Sequence, residues 1–494
     1  MSNVRIILEK PSLVYTNLDV IRGRVIVDLE YEESISSITV KLEGASRSRL
    51  FIPKPETDSG LDPIHKTEVE FHKFLYVVDT VFPPPGLPPK GSGYTVKPGE
   101  HEYPFSIKVP IKSACGTASA GIRDRLSFDL QKGAVDFAKE STNHHNDILP
   151  PSLSGILNDD AWIRYYLKVT VNFPKFYKPN LRAMEFFVFL PIEPPRPPFT
   201  KAETFAKRDY AFRSELMPKP KKSLFSFGHK DKHAAVVGPA PKFGIEVRLP
   251  SPPILVPRDP LPLRILVQKQ VPYNASIFIR SLQLCLVSYT QIRAHSCNRT
   301  DVTKTPFFSR VDLKQPVGDE EASVGVETEV DPSAWAAASL PDTIAPTFTT
   351  CNISRRYELE VSVGISNGLL GGIDTIPFTL PVEVYSGIIP PPELIRAATT
   401  AANSLKPNPS VRRMQTGMVS TPTSPISGPS LSRANTAPFT NKPEESQYES
   451  APPTYEDAMA AEIGPIDGPS RDRTFPQSGA YFTAEVEPGR GGKN

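Results

Sequence analysis

Trp162-Ile163-Arg164-Tyr165-Tyr166-Leu167-Lys168-Val169-Thr170-Val171-Asn172-Phe173 places Ile163, Tyr165, Leu167, Val169, Val171 and Phe173 on one parity and mostly polar residues on the other. Successive strand side chains point to opposite faces, so a period of two predicts a long strand with one face in a core. The run has a second copy. Arg164-Tyr165-x-Leu167-x-Val169-x-Val171 reappears as Arg356-Tyr357-x-Leu359-x-Val361-x-Val363, and each is followed by the same kind of tetrapeptide, Leu190-Pro191-Ile192-Glu193 and Leu380-Pro381-Val382-Glu383.

Upstream, two more stretches match in the same order. Asp19-x-Ile21-x-x-Arg24-Val25-x-Val27 parallels Asp259-x-Leu261-x-x-Arg264-Ile265-x-Val267, and Ile35-x-Ser37-Ile38-x-Val40-x-Leu42 parallels Ile279-x-Ser281-Leu282-x-Leu284-x-Leu286. Collinear repeats of this kind mark a duplicated unit. Each copy has enough short alternating runs for an antiparallel sandwich, so the fold class is all-β, with two tandem β-sandwiches at residues 1–195 and 241–386. The first copy carries extra loops around Pro53 to Gly93 and Gly116 to Pro151. Helical periodicity is scarce; Leu126 and Leu130, four apart within Ile122 to Lys139, invite the one helix.

Composition agrees. A chain of 494 residues exceeds one ordinary core. Its 55 prolines are about twice average usage, which suits β-domains with proline-marked turns plus disordered segments better than a helical enzyme. The net charge of +2 gives no global pull on nucleic acid. Cys115, Cys285, Cys297 and Cys351 are widely spaced and form no CxxC pair, which reads as reduced cytosolic thiols. No signal-peptide-like run opens the chain, and the most apolar stretch, Met184 to Ile192, is too short to span a bilayer. A soluble cytoplasmic protein is expected, and the sequons at Asn274, Asn298 and Asn352 then carry no weight.

Residues 196–240 read as a basic Pro/Lys-rich linker or insertion. Within it, Pro218 to Lys232 holds five lysines against one acid. Lys219, Lys221 and Lys222, interleaved with Phe225 and Phe227, are candidate contacts for an anionic membrane, since basic residues gain about 1 kcal/mol each near such lipids. A merely solvated linker is the alternative. Residues 387–494 lose hydrophobic periodicity to Ser, Thr, Pro and charge, as expected of a disordered tail.

The tail carries Pro452-Pro453-Thr454-Tyr455. Two prolines preset the polyproline II conformation and dock in an aromatic groove at low entropic cost, while the tyrosine fills a neighbouring pocket. Pro452, Pro453 and Tyr455 thus form a WW-domain ligand. Arg412-Arg413-Met414-Gln415-Thr416 and Arg433-Ala434-Asn435-Thr436-Ala437-Pro438 suit basophilic kinases, and Thr436 with proline two residues on suits a 14-3-3 protein once phosphorylated. Thr421-Pro422 and Ser424-Pro425 suit proline-directed kinases. Phosphorylation at Thr416, Thr421, Ser424 or Thr436 would switch the protein by 14-3-3 capture; a plain polar tail is the alternative.

Catalytic patterns are lacking. Gly116 to Gly121 has the glycine spacing of a phosphate loop but continues Ile122-Arg123 where Lys-Ser/Thr is required. No Gly-x-Ser-x-Gly elbow occurs. His295-x-Cys297 has no second Cys/His pair near it in sequence. A binding protein without catalytic, cofactor or metal residues is expected.

Pro98-Gly99-Glu100, leading into Pro104-Phe105-Ser106-Ile107-Lys108-Val109-Pro110, resembles the arrestin N-domain signature. Asp19 to Val27 and Ile163 to Val171 are similar to further strands of that domain, and Leu255 to Val267 with Arg356 to Val384 is similar to the arrestin C-domain. With the Pro-Pro-x-Tyr tail the chain most resembles the α-arrestins, in particular the fungal arrestin-related trafficking adaptors. The resemblance implies two arrestin-like, immunoglobulin-like sandwiches that engage an integral membrane cargo, a transporter or receptor, from the cytosol. A HECT-type ubiquitin ligase held through its WW domains would then ubiquitinate the cargo for endocytosis, with recruitment to plasma membrane and endosomes. The ligase gains local concentration at the cargo, and the adaptor does no chemistry itself. The rival readings are an arrestin-like signalling scaffold, for example for ambient pH, that is itself ubiquitinated, and a retromer-type coat subunit, which has no need of a WW ligand.

Overall fold

The structure is a computed structural model that describes residues 2–396 apart from 10, 13, 53–65, 88–89, 116–125, 130–133, 138–143, 146, 157–159, 199, 213–239, 274–275, 318–322 and 370. Residues up to Pro390 belong to one compact unit, and a short helical turn begins a second at Pro391.

The first sandwich runs β1 (Asn3–Leu8), β2 (Val20–Leu29), β3 (Glu33–Ile35), β4 (Ser37–Ile52), β5 (Lys66–Phe82), β6 (Tyr94–Val96), β7 (Gly99–Lys108), β8 (Leu126–Asp129), β9 (Ala134–Phe137), β10 (Leu153–Ile156), β11 (Ala161–Asn172) and β12 (Leu181–Phe187). One sheet has the order β1-β2-β7; the other is β10-β11-β4-β5, with β12 also on β11. The second sandwich comprises β13 (Glu203–Ala211), β14 (Lys242–Pro250), β15 (Ile254–Leu255), β16 (Arg264–Lys269), β17 (Ile277–Ala294), β18 (Cys297–Pro316), β19 (Glu327–Glu329), β20 (Phe348–Thr349), β21 (Ile353–Asn367) and β22 (Ile373–Val384). Its sheets are β13-β14-β16-β19 and β15-β22-β21-β17-β18, with β20 on β21.

Alternation in the sequence becomes burial. In β11, Ile163, Tyr165, Leu167, Val169 and Val171 are buried while Trp162, Arg164, Tyr166 and Lys168 are partly exposed. In each sandwich the inner faces of the two sheets share one core, and a fully buried Val, Leu, Ile or Phe there contributes about 1.5–3 kcal/mol.

The duplication is visible in three dimensions. β4 lies between β11 and β5 as β17 lies between β21 and β18. Tyr165 donates its hydroxyl to the Pro150 carbonyl at 2.5 Å, and its counterpart Tyr357 donates to Ala345 at 2.6 Å. Leu18 and Arg258, each preceding the matched aspartate, both hold φ at 70°. Arg24 and Arg264 each pair with a glutamate on the neighbouring strand, Glu102 at 2.8 Å and Glu329 at 2.7 Å.

Three readings of the sequence need correction. Within Ile122 to Lys139, β8 and β9 pair antiparallel instead of forming a helix; Leu126-Ser127-Phe128-Asp129 also alternates with period two, and a glycine, Gly133, precedes β9. Residues 203–211, placed in the linker, are β13 and pair with β14 over their whole length. Residues 66–82, placed in a loop, are β5, paired with β4.

Candidate functional site at the seam between the sandwiches

β5 lacks a sustained apolar alternation. Glu68, Glu70 and His72 are buried on one parity, ahead of Phe74, so the inward face is polar where a core strand would be apolar. That face meets the second sandwich. The end of β17 carries Arg293 against it, and the turn joining β17 to β18 carries His295, at φ 54°. The apolar core of the first sandwich continues into Ile292, Ala294, Phe348, Cys351 and Ile353 of the second.

Glu70 is the hub of this contact. Arg293 Nη2 donates to Oε1 at 2.9 Å, the His295 amide donates to Oε2 at 2.6 Å, and His72 Nε2 lies 2.8 Å from Oε1. A buried carboxylate is tolerable only when charge and donors converge on it in this way. Asn352 extends the network: its Oδ1 accepts from Ser46 Oγ at 2.7 Å, and its Nδ2 donates to Ser48 Oγ at 3.1 Å. Asp160 adds a second ionic link, accepting from Arg49 of the first sandwich at 3.2 Å and Arg299 of the second at 3.5 Å.

Beside Glu70 the seam holds two sulfurs and two imidazoles. Cys115 Sγ is 3.4 Å from His72 Nδ1, 3.3 Å from His144 Nδ1 and 3.5 Å from Cys351 Sγ. The four donor atoms all lie within 4.8 Å of one another. Among the described residues this cluster could hold a metal ion. The His145 amide donates to Cys351 Sγ at 3.2 Å. The Cys351 thiol is held well below the ordinary cysteine value, first by its hydrogen bond with Cys115 and then, against burial, by His72 and the His145 amide. Burial pushes the His72 imidazole down, but Cys351 and Glu70 outweigh it and its pKa is raised.

A known family covers the first-sandwich side of this seam. Residues 4–193 match an arrestin N-terminal domain, the family "Arrestin (or S-antigen), N-terminal domain". The arrestin match takes in β1 to β12, and with them Glu70, His72, Cys115 and His144. "Arrestin-related trafficking adapter 10" of Lachancea thermotolerans is 28% identical to this chain over 194 residues, 34% of the chain and 41% of that protein. The chain thus spans less than half the length of that relative.

Pro452, Pro453 and Tyr455, the phosphorylation candidates Thr416, Thr421, Ser424 and Thr436, and the membrane candidates Lys219, Lys221, Lys222, Phe225 and Phe227 all lie outside the described residues. His295 and Cys297, weighed as a metal pair, are engaged elsewhere: His295 Nε2 lies 3.0 Å from the Val69 carbonyl and Cys297 Sγ 3.9 Å from Ser296 Oγ. The seam cluster gave no signal in the sequence, because Cys115 and Cys351 are 236 positions apart. Among the described residues no helix is long and apolar enough to cross a membrane.

Proposed function

We propose that the protein is a trafficking adaptor that brings a HECT-type ubiquitin ligase to an integral membrane cargo, a transporter or receptor, so that the cargo is ubiquitinated and internalised. The observation that carries this reading is the joint presence of an arrestin N-domain at residues 4–193 and a Pro-Pro-x-Tyr sequence at Pro452, Pro453 and Tyr455. The relative's printed name, a trafficking adapter, supports it. In this reading the two arrestin-like sandwiches engage cargo, residues 387–494 regulate, and Pro452, Pro453 and Tyr455 hold the ligase's WW domain. The adaptor works by proximity and without catalysis of its own.

Two further roles belong to the same proposal. Lys219, Lys221, Lys222, Phe225 and Phe227 contact the anionic cytosolic leaflet at plasma membrane and endosomes. Phosphorylation at Thr416, Thr421, Ser424 or Thr436 creates the charge that a 14-3-3 protein captures, withdrawing the adaptor to the cytosol. The test is a strain with Tyr455→Ala in which surface transporters are followed after a nutrient shift. Slowed loss of one or more transporters is expected, and unchanged turnover of all of them would refute the reading.

A further inference from the structure

We propose that His72, Cys115, His144 and Cys351 form a structural zinc site that fastens the second sandwich onto the first. The side chains supply two sulfurs and two imidazole nitrogens, a donor set typical of tetrahedral zinc. Zn–S bonds of about 2.3 Å and Zn–N bonds of about 2.0–2.1 Å place tetrahedral S···S and S···N edges near ~3.7 and ~3.5 Å. The edges here are 3.5 Å for Cys115 to Cys351, and 3.4 and 3.3 Å from Cys115 to the two Nδ1 atoms. A disulfide would need its sulfurs about 2.05 Å apart, and both cysteines are free.

The surroundings are those of metal ligands. A metal-bound histidine usually gives its other N–H to a carboxylate, which fixes the tautomer. His72 meets that condition: Nε2 is 2.8 Å from the Glu70 carboxylate, which can only accept, so Nδ1 carries the lone pair turned toward Cys115. The His145 amide at 3.2 Å from Cys351 Sγ supports negative charge on that sulfur. His72, Cys115 and Cys351 are buried while His144 is exposed, which leaves an entry path for the ion on one side. Four protein ligands complete a tetrahedron, so the site is structural and leaves no open position for substrate.

The ligands come from both halves. His72 lies on β5, Cys115 follows β7 and His144 precedes β10, all in the first sandwich; Cys351 sits between β20 and β21 in the second. An ion there would cross-link two bodies that are otherwise joined through the Glu70 and Asp160 networks and apolar contact, and would fix their relative position.

Full-length protein, purified without chelator or affinity metal, is assayed for metal by mass spectrometry, then stripped and titrated with Zn²⁺ and Co²⁺. The account predicts one zinc per chain, a Co²⁺ spectrum with intense tetrahedral d–d bands and thiolate charge transfer, and at least tenfold faster proteolysis between the sandwiches after stripping. Cys351→Ser should weaken zinc binding at least a hundredfold, and Cys285→Ser should leave it unchanged. Because metal content and the Co²⁺ spectrum are read on the wild-type chain, misfolding of a variant cannot decide the matter. No bound metal together with no tetrahedral Co²⁺ spectrum, full zinc retention in folded Cys351→Ser, or a Cys115–Cys351 disulfide in non-reduced peptides would each overturn the proposal.

Discussion

Arg293 of the second sandwich places Nη2 at 2.9 Å from the carboxylate of Glu70 in the first, where Glu70 is 1% exposed and Arg293 a quarter exposed. The same guanidinium donates to the Cys351 carbonyl at 2.5 Å, so one side chain ties a buried charge of the first sandwich to a loop of its own. Removing it takes a positive charge away from that buried carboxylate. Arg293→Met should therefore cost on the order of 2–3 kcal/mol, below the full penalty for a wholly buried pair because of the arginine's exposure. Chemical denaturation of Arg293→Met, Glu70→Gln and the double variant measures it. The double variant should lose clearly less than the sum of the singles, and strict additivity would mean the pair is not coupled.

The two matched tyrosines offer a test of the duplication. Tyr165→Phe leaves the Pro150 carbonyl without its donor, and Tyr357→Phe does the same to Ala345. Each should destabilise by about 1–2 kcal/mol, and by similar amounts, whereas Phe at exposed Tyr31 should change little. Denaturant midpoints at unchanged slope provide the reading.

Gly44 lies in a tightly packed part of the first core. A Cβ there would lie 2.7 Å from Phe74 Cε2, 2.9 Å from Leu75 Cβ and 3.0 Å from Tyr165 Cε1. All three neighbours are packed and buried, so none can swing away. Gly44→Ala should cost about 1–3 kcal/mol by overpacking, readable as a lowered melting temperature.

The outer charges of the second sandwich predict acid sensitivity. Arg264 bridges Glu329 at 2.7 Å and Glu203 at 2.5 Å, while Arg248 reaches Glu327 at 2.9 Å and also pairs with Glu246. Arg264 holds Glu329 below the usual carboxylate range; burial pushes Glu246 up, and Lys207 and Arg248 outweigh it. A depressed folded pKa gives stability that is present above the unfolded value, near 4.5, and is lost as pH falls through the folded one. Melting temperature should drop between about pH 5 and pH 3, and less steeply in Glu329→Gln. An unchanged slope in that variant would mean that the pair contributes nothing.

How much of this was legible in the sequence depended on which face each strand buries. β2, β4, β11, β16, β17 and β21 are legible because their inward positions are apolar and the duplication repeats them. β18 is not legible because it is an edge strand exposed along most of its length. β13 is not legible for the same reason; only Ala206 and Tyr210 reach the core among charged neighbours. β5 is not legible because Glu68, Glu70 and His72 occupy its buried parity. The seam was illegible because its Cys and His residues come from four separate segments, and only the docking of the two sandwiches makes them neighbours.

The most direct test of the adaptor account is a titration of WW domains from a HECT-type ligase with the full chain and with Tyr455→Ala. A ligand with three anchors buries little surface, so the wild-type chain should bind on the order of micromolar. Tyr455→Ala should bind at least tenfold more weakly while melting at the wild-type temperature. Equal binding by the two chains, or none by either, would contradict the account.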